Sequence, residues 1–61
     1  MAYETKIAQT DGSNGYQPGT WEWQIRCSVG VYFEGGYDSV TSARRALRAK
    51  VRALRKAKII E

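Results

Sequence analysis

Between Ala43 and Lys58 the chain reads ARRALRAKVRALRKAK, where eight of sixteen residues are Arg or Lys and none is acidic. Guanidinium forks match the oxygens of phosphate and carboxylate, so such a run can hold an anion. It can equally be the wet face of a helix, with long stems covering the margin of a core. Two details favour the anion. No acid occurs from residue 39 to residue 60, whereas a helix built for stability alone mixes in Glu for i,i+4 pairs. Cations in a last helical turn also suit the helix dipole, but that accounts for Arg55, Lys56 and Lys58 and leaves Arg44, Arg45 and Arg48 unexplained.

Other chemistries have little to work with. The chain has no histidine and a single cysteine, Cys27. An intrachain disulfide, a cysteine–histidine pair and a structural zinc site are therefore not expected. A glycine-rich phosphate motif is missing too, so we expect no catalysis, no cofactor and no metal. The remaining candidates are aromatic. Tyr3, Tyr16, Tyr32 and Tyr37 are not easily buried together in so small a domain, so one or two of them, Tyr32 first, and Trp21 could stack on bases or anchor a protein partner from an open sheet face.

These side chains need elements to carry them. YETKIAQ alternates at period 2, which predicts a strand over residues 2–9. DGSNGYQPG, residues 11–19, is the clearest loop and the expected mobile segment. TWEWQIRCS is the best strand: Trp21, Trp23, Ile25 and Cys27 share one face, while Glu22, Gln24, Arg26 and Ser28 share the other. A tight turn is expected at Val29-Gly30. A third strand, VYFEGGY, follows, with Val31 and Phe33 on the buried face and Tyr32 and Glu34 outside. Gly35-Gly36 should end the pairing or form a bulge. Asp38 or Ser39 then caps a basic helix over residues 39–58, rich in good helix formers. The fold class is α+β: a three-stranded antiparallel sheet packed against one C-terminal helix, in the order β-β-β-α.

At about 100° per residue this helix has three faces. Val40, Ala43, Leu47, Val51 and Leu54 form a core stripe. Arg44, Arg45, Arg48, Arg52, Arg55 and Lys56 form a basic surface. Ala46, Ala49, Ala53 and Ala57 form a strip of small residues that could bring two helices together in a weak homodimer.

Sixty-one residues make one domain, 1–61, with a marginal core. The lone thiol fits a reducing compartment. No apolar run approaches the ~20 residues of a membrane span, and MAYETKIAQTDG lacks the pattern of a secretory leader. A small, complete, cytoplasmic protein without membrane partners is expected. The net charge of +4 conceals a division. Residues 1–38 carry a net −3, whereas residues 39–61 carry a net +7. Such asymmetry suggests a nucleic-acid or acidic partner.

The runs WEWQIR at Trp21–Arg26, VYF at Val31–Phe33 and YDSVTSARRAL at Tyr37–Leu47 resemble the three-stranded-sheet-plus-helix DNA-binding domains of plant ethylene-response factors and the arm-binding N-terminal domains of tyrosine integrases. The layout is also similar to small bacterial YegP-type domains and to the latter part of a double-stranded-RNA-binding domain. The resemblance covers about half the chain and implies nucleic-acid binding. In the DNA-binding families the open sheet face reads the major groove, and Trp21 and Arg26 match its positions. The sheet half of this chain is net acidic, however, which moves most of the expected grip to the helix. The reading is a small DNA-associated regulatory protein of the kind carried by phages and mobile elements, with double-stranded DNA as partner. The alternative is a protein-interaction module, a small inhibitor or adaptor that binds an acidic protein surface.

The core stripe can be tested directly. Leu47→Ala should cost roughly 2–5 kcal/mol, as truncation of a buried leucine does, and most of a domain this small could unfold with it. A thermal midpoint within a few degrees of wild type would place Leu47 outside the core.

Overall fold

A computed structural model describes residues 3–12 and 15–60. Three strands, β1 (Glu4–Gln9), β2 (Trp21–Cys27) and β3 (Gly30–Tyr37), precede one helix, α1 (Val40–Lys56). The strands pair antiparallel in the order β1-β2-β3, with β2 in the centre. This is the expected α+β layout. Residue 2, expected in the first strand, lies outside the described residues, as do residues 13 and 14 of the loop.

The helix lies chiefly over β2 and buries one face of the sheet. Trp23 and Ile25 meet Leu47 and Leu54 there, with Trp21's neighbour Tyr37 and Cys27 at the margins. Burial of these apolar faces supplies the main stabilising term, because neither the strand face nor the helix stripe can be dry alone. Ala43, Leu47 and Leu54 are buried, while Val40 and Val51 are half-buried.

The β2–β3 hairpin departs from expectation. Cys27 pairs with Gly30, so the turn is Ser28-Val29 and Gly30 begins β3. A two-residue turn pairs residue i with i+3, so odd positions on β2 share a face with even positions on β3. Ile25 therefore pairs with Tyr32 and Gln24 with Phe33. Tyr32 turns toward the helix, and Val31 and Phe33 turn away, 49% and 52% exposed. The expectation that Val31 and Phe33 join the core, with Tyr32 and Glu34 outside, is overturned by this register. A shift of one residue exchanges the two faces of a strand.

Gly35 and Gly36 form the bulge. Trp23 pairs with Glu34 and Trp21 with Tyr37, leaving two glycines opposite Glu22. The extra residue returns Tyr37 to the side of Trp23, whose indole Nε1 donates to the Tyr37 hydroxyl at 3.2 Å. That hydroxyl in turn donates to the Glu34 carboxylate. Gly36 has φ +87, where side chains are rarely found, and a Cβ on Gly35 would stand 2.7 Å from the Tyr16 ring. The bulge thus needs one glycine for conformation and the other for space.

The segment after β1 was expected to be mobile. Its base is closed by hydrogen bonds: Thr10 N–H donates to Thr20 O at 2.7 Å, and Gly19 N–H to Thr10 O at 3.0 Å. Both threonine hydroxyls lie within hydrogen-bonding range of the Gln17 carbonyl, at 2.6 and 2.7 Å. Tyr16 then reaches back over the glycine bulge.

Ser39 caps α1, accepting from the Ser42 N–H at 3.1 Å. The other end closes with Ile59 N–H to Leu54 O at 2.9 Å and Lys58 N–H to Arg55 O at 3.0 Å, a Schellman pattern. The helix proper ends at Lys56 rather than 58. The reversal brings Ile60 back into the core, where it is buried. No described helix is long and apolar enough to cross a membrane.

Two measurements follow from this geometry. Lys58 sits at φ 60, the left-handed region usually given to glycine. Lys58→Gly should stabilise the fold by about 1 kcal/mol, relieving a left-handed penalty of about 1–2 kcal/mol but freeing the unfolded chain. Thermal denaturation would show a rise of roughly 4–8 °C; an unchanged or lower midpoint would mean that no strain resides there. Tyr37 gives the second. Burial, then its hydrogen bond to Glu34, pushes the phenol above its ordinary 10.0. The folded state therefore favours the neutral phenol more than the unfolded chain does. This contribution is complete below the unfolded value near 10 and is lost as pH rises through the folded one. Above about pH 10 wild type should lose stability faster than Tyr37→Phe in urea titrations; parallel curves would remove the linkage.

Candidate nucleic-acid interface

A helix of good formers with no glycine or proline holds its side chains at fixed angles, so the sequence spacing becomes a surface. Arg44, Arg45, Arg48 and Arg52 are all exposed and line one shallow groove with Thr41 and Ala49. From Arg44 to Arg52 the rise is about 12 Å, similar to the roughly 12 Å width of a DNA major groove. Lys56 is exposed one turn beyond Arg52.

Like charges here repel. Arg44 with Arg48, Arg48 with Arg52, and Arg52 with Lys56 are i,i+4 pairs, each destabilising by about 0.2–0.5 kcal/mol. No helical residue offers a carboxylate to relieve them. A polyanion laid along the surface would remove this repulsion and gain charge-assisted hydrogen bonds at once.

The flanks of the helix differ. Arg48, Arg52 and Arg55 lean toward β1, with Tyr3 and Thr5 across the groove. The Arg55 guanidinium donates to the Tyr3 hydroxyl at 2.9 Å and lies 5.8 Å from its ring centroid. On the β3 side, Lys50 sits 5.2 Å from the centre of the Tyr32 ring. Both contacts extend apolar cover past the core while keeping a cation near water.

The structure therefore separates the predicted residues. Arg44, Arg45, Arg48 and Arg52 come together, with Lys56 in line. Arg55 is on the same helix but is engaged with Tyr3. Arg26 is exposed on the opposite, open face of the sheet, beside Glu4, Lys6 and Gln24. Trp21 is half-buried on the helix side. Tyr32, expected on the open face, lies on the helix side under Lys50, for the register reason given above. One flat ligand cannot touch Arg26 and the helix arginines together. Of the alanines, Ala46 packs against the core, Ala49 belongs to the arginine groove, and Ala53 and Ala57 are exposed.

Sequence reasoning missed Thr41 and the contact of Tyr3, one of the four tyrosines that could reach the open face, with the arginine flank. The helical spacing of Thr41 to Arg44, Arg45 and Arg48 could have found the first. Tyr3 depends on which sheet edge faces the arginine flank, which spacing along the helix does not encode. Among the described residues no group of three or more metal-ligating side chains occurs. No protein-family model matches this chain, and neither a curated protein nor a solved structure matches it.

Proposed function

We propose that this protein binds nucleic acid, with duplex DNA as the partner, through the outer surface of α1, and acts as a small DNA-associated regulatory protein. The observation that carries the reading is the common exposure of Arg44, Arg45, Arg48 and Arg52 on a helix that has no acid. In the bound state the guanidinium groups take phosphate oxygens and release counterions, which makes affinity fall steeply with salt. Thr41 and Ala49 leave space between the arginines, so the helix surface can approach a backbone closely. The open sheet face contributes little, because Arg26 and Lys6 there share their surroundings with Glu4.

A homodimer through the alanines is a second, weaker element of the proposal. Ala49 lies within the arginine groove, so helices crossing there would draw two basic surfaces together. The contact would form more readily at high salt, where charge repulsion is screened.

The test is a triple change, Arg45→Gln, Arg48→Gln and Arg52→Gln. All three side chains are exposed, so the circular dichroism spectrum should hold, and the melting temperature should not fall, because the changes at Arg48 and Arg52 remove like-charge i,i+4 repulsion. Duplex affinity should fall, and the slope of log K against log salt should shrink by about 0.9 for each phosphate contact removed. A folded triple variant with unchanged affinity and slope would exclude this surface.

A further inference from the structure

The two edges of the sheet are not equivalent. β3 is interrupted by the Gly35-Gly36 bulge, and the Tyr32 and Lys50 pair stands over its helix side. Bulges and covered edges resist further pairing. β1 has no bulge, and the Arg55–Tyr3 pair stands at only one end of it, before Glu4. The strand runs in unbroken register with β2 from Glu4 through Gln9, and among the described residues no strand pairs with its outer edge. Because α1 lies chiefly over β2, a groove remains on the helix side between β1 and the arginine flank of α1.

That space is lined. Leu47 and Val51 provide an apolar floor, Arg48, Arg52 and Arg55 provide a cationic rim, and Tyr3 closes one end of a groove of about 400 Å³. A strand added at the usual 4.7–4.9 Å from β1 would lie under this rim. Its backbone would meet the outward-facing N–H and C=O groups of β1. Every second side chain would turn toward the helix, where apolar groups find Leu47 and Val51 and acidic groups find the arginines.

We infer that this groove and the β1 edge together receive an extended acidic peptide, which joins the sheet as a fourth strand and pairs its carboxylates with Arg48, Arg52 and Arg55. Charge selects this occupant over a second copy of the chain. A second β1 would present Thr5, Ile7 and Gln9 toward the helix, offering the arginines nothing and adding a second arginine flank. Nucleic acid lacks the peptide groups that pair with a strand edge. Main-chain bonds would give affinity and the alternate side chains specificity, as in other strand-addition complexes. This site goes beyond the nucleic-acid reading and does not require it, although the two share Arg48 and Arg52.

The test uses the intact chain and three fluorescein-labelled peptides of about eight residues, enough to run along the six of β1. One alternates Val and Glu, the second places the same residues in two blocks, and the third is the alternating peptide N-methylated at every second amide. In fluorescence anisotropy the alternating peptide should bind roughly tenfold or more tightly than the N-methylated one, the effect of losing one or two net backbone hydrogen bonds, and more tightly than the block peptide, which turns only half of its carboxylates to the helix face. Hydrogen exchange should slow at outward-facing β1 amides when it binds. Arg55→Gln, a residue outside the outer helix groove, should weaken the peptide, and sedimentation should show a one-to-one complex. Equal binding of all three peptides would reduce the effect to bulk charge and overturn the proposal. So would β1 amides that exchange at the free rate, or sedimentation showing β1-paired dimers as the species that fills the edge.

Discussion

The two-residue turn at Ser28-Val29 is the constraint on which the rest of this structure depends. It sets the pairing of Cys27 with Gly30, and with it the face that every β3 side chain occupies. Tyr32 and Glu34 are thereby committed to the helix side. Without correction the same parity would carry Tyr37 away from the core, but the double-glycine bulge shifts the register by one residue and returns it. The hydrogen bonds from Trp23 to Tyr37 and from Tyr37 to Glu34 exist only because both events occur. The indole N–H of a buried Trp23 would otherwise need another partner, and a lost partner at a buried donor costs about 1–3 kcal/mol.

A small core makes the margins of the molecule matter. Among the described residues its buried apolar side chains are Trp23, Ile25, Ala43, Leu47, Leu54 and Ile60. The long cations extend it, with Arg55 across Tyr3 and Lys50 across Tyr32. Basic residues on α1 are thus not of one kind. Lys50 and Arg55 are tied to aromatic rings at the two sheet edges, whereas Arg44, Arg45, Arg48 and Arg52 project from the outer surface. Helix propensity, the Ser39 cap and cations near the C-terminus offset the mutual repulsion of the projecting group.

What was legible in the sequence was what short-range periodicity encodes. The alternation of Trp21, Trp23, Ile25 and Cys27 marked the central strand and its dry face. The spacing of Ala43, Leu47 and Leu54 marked the helix face that meets it. Legibility failed where a feature depends on counting across a turn. Val31 and Phe33 looked like core because they are apolar, yet hairpin arithmetic alone turns them outward. Ile60 was missed for a different reason: it lies past the helix, and the chain reversal there runs through a lysine in a conformation normally signalled by glycine. The candidate surface was partly readable. Arg44, Arg45, Arg48 and Arg52 share a face by helix geometry, but the separation of Arg26, the turning of Tyr32 and the tie between Arg55 and Tyr3 are consequences of tertiary arrangement.

The asymmetry of the helix bears on how the two proposed ligands would relate. Arg44 and Arg45 belong only to the outer groove, and Arg55 only to the groove beside β1. Arg48 and Arg52 line both, and each guanidinium can satisfy one anion fully or two poorly. An acidic strand at β1 would draw these two side chains inward, leaving Arg44, Arg45 and Lys56 for phosphate. A duplex on the outer groove would draw them outward and leave Arg55 alone at the peptide. Binding at either groove would then weaken the other by the same factor, because coupling free energy is reciprocal. The coupling requires no change of fold, only a choice of rotamer at two exposed arginines. A peptide that is acidic and extended would be an antagonist of nucleic-acid binding without resembling a duplex in shape.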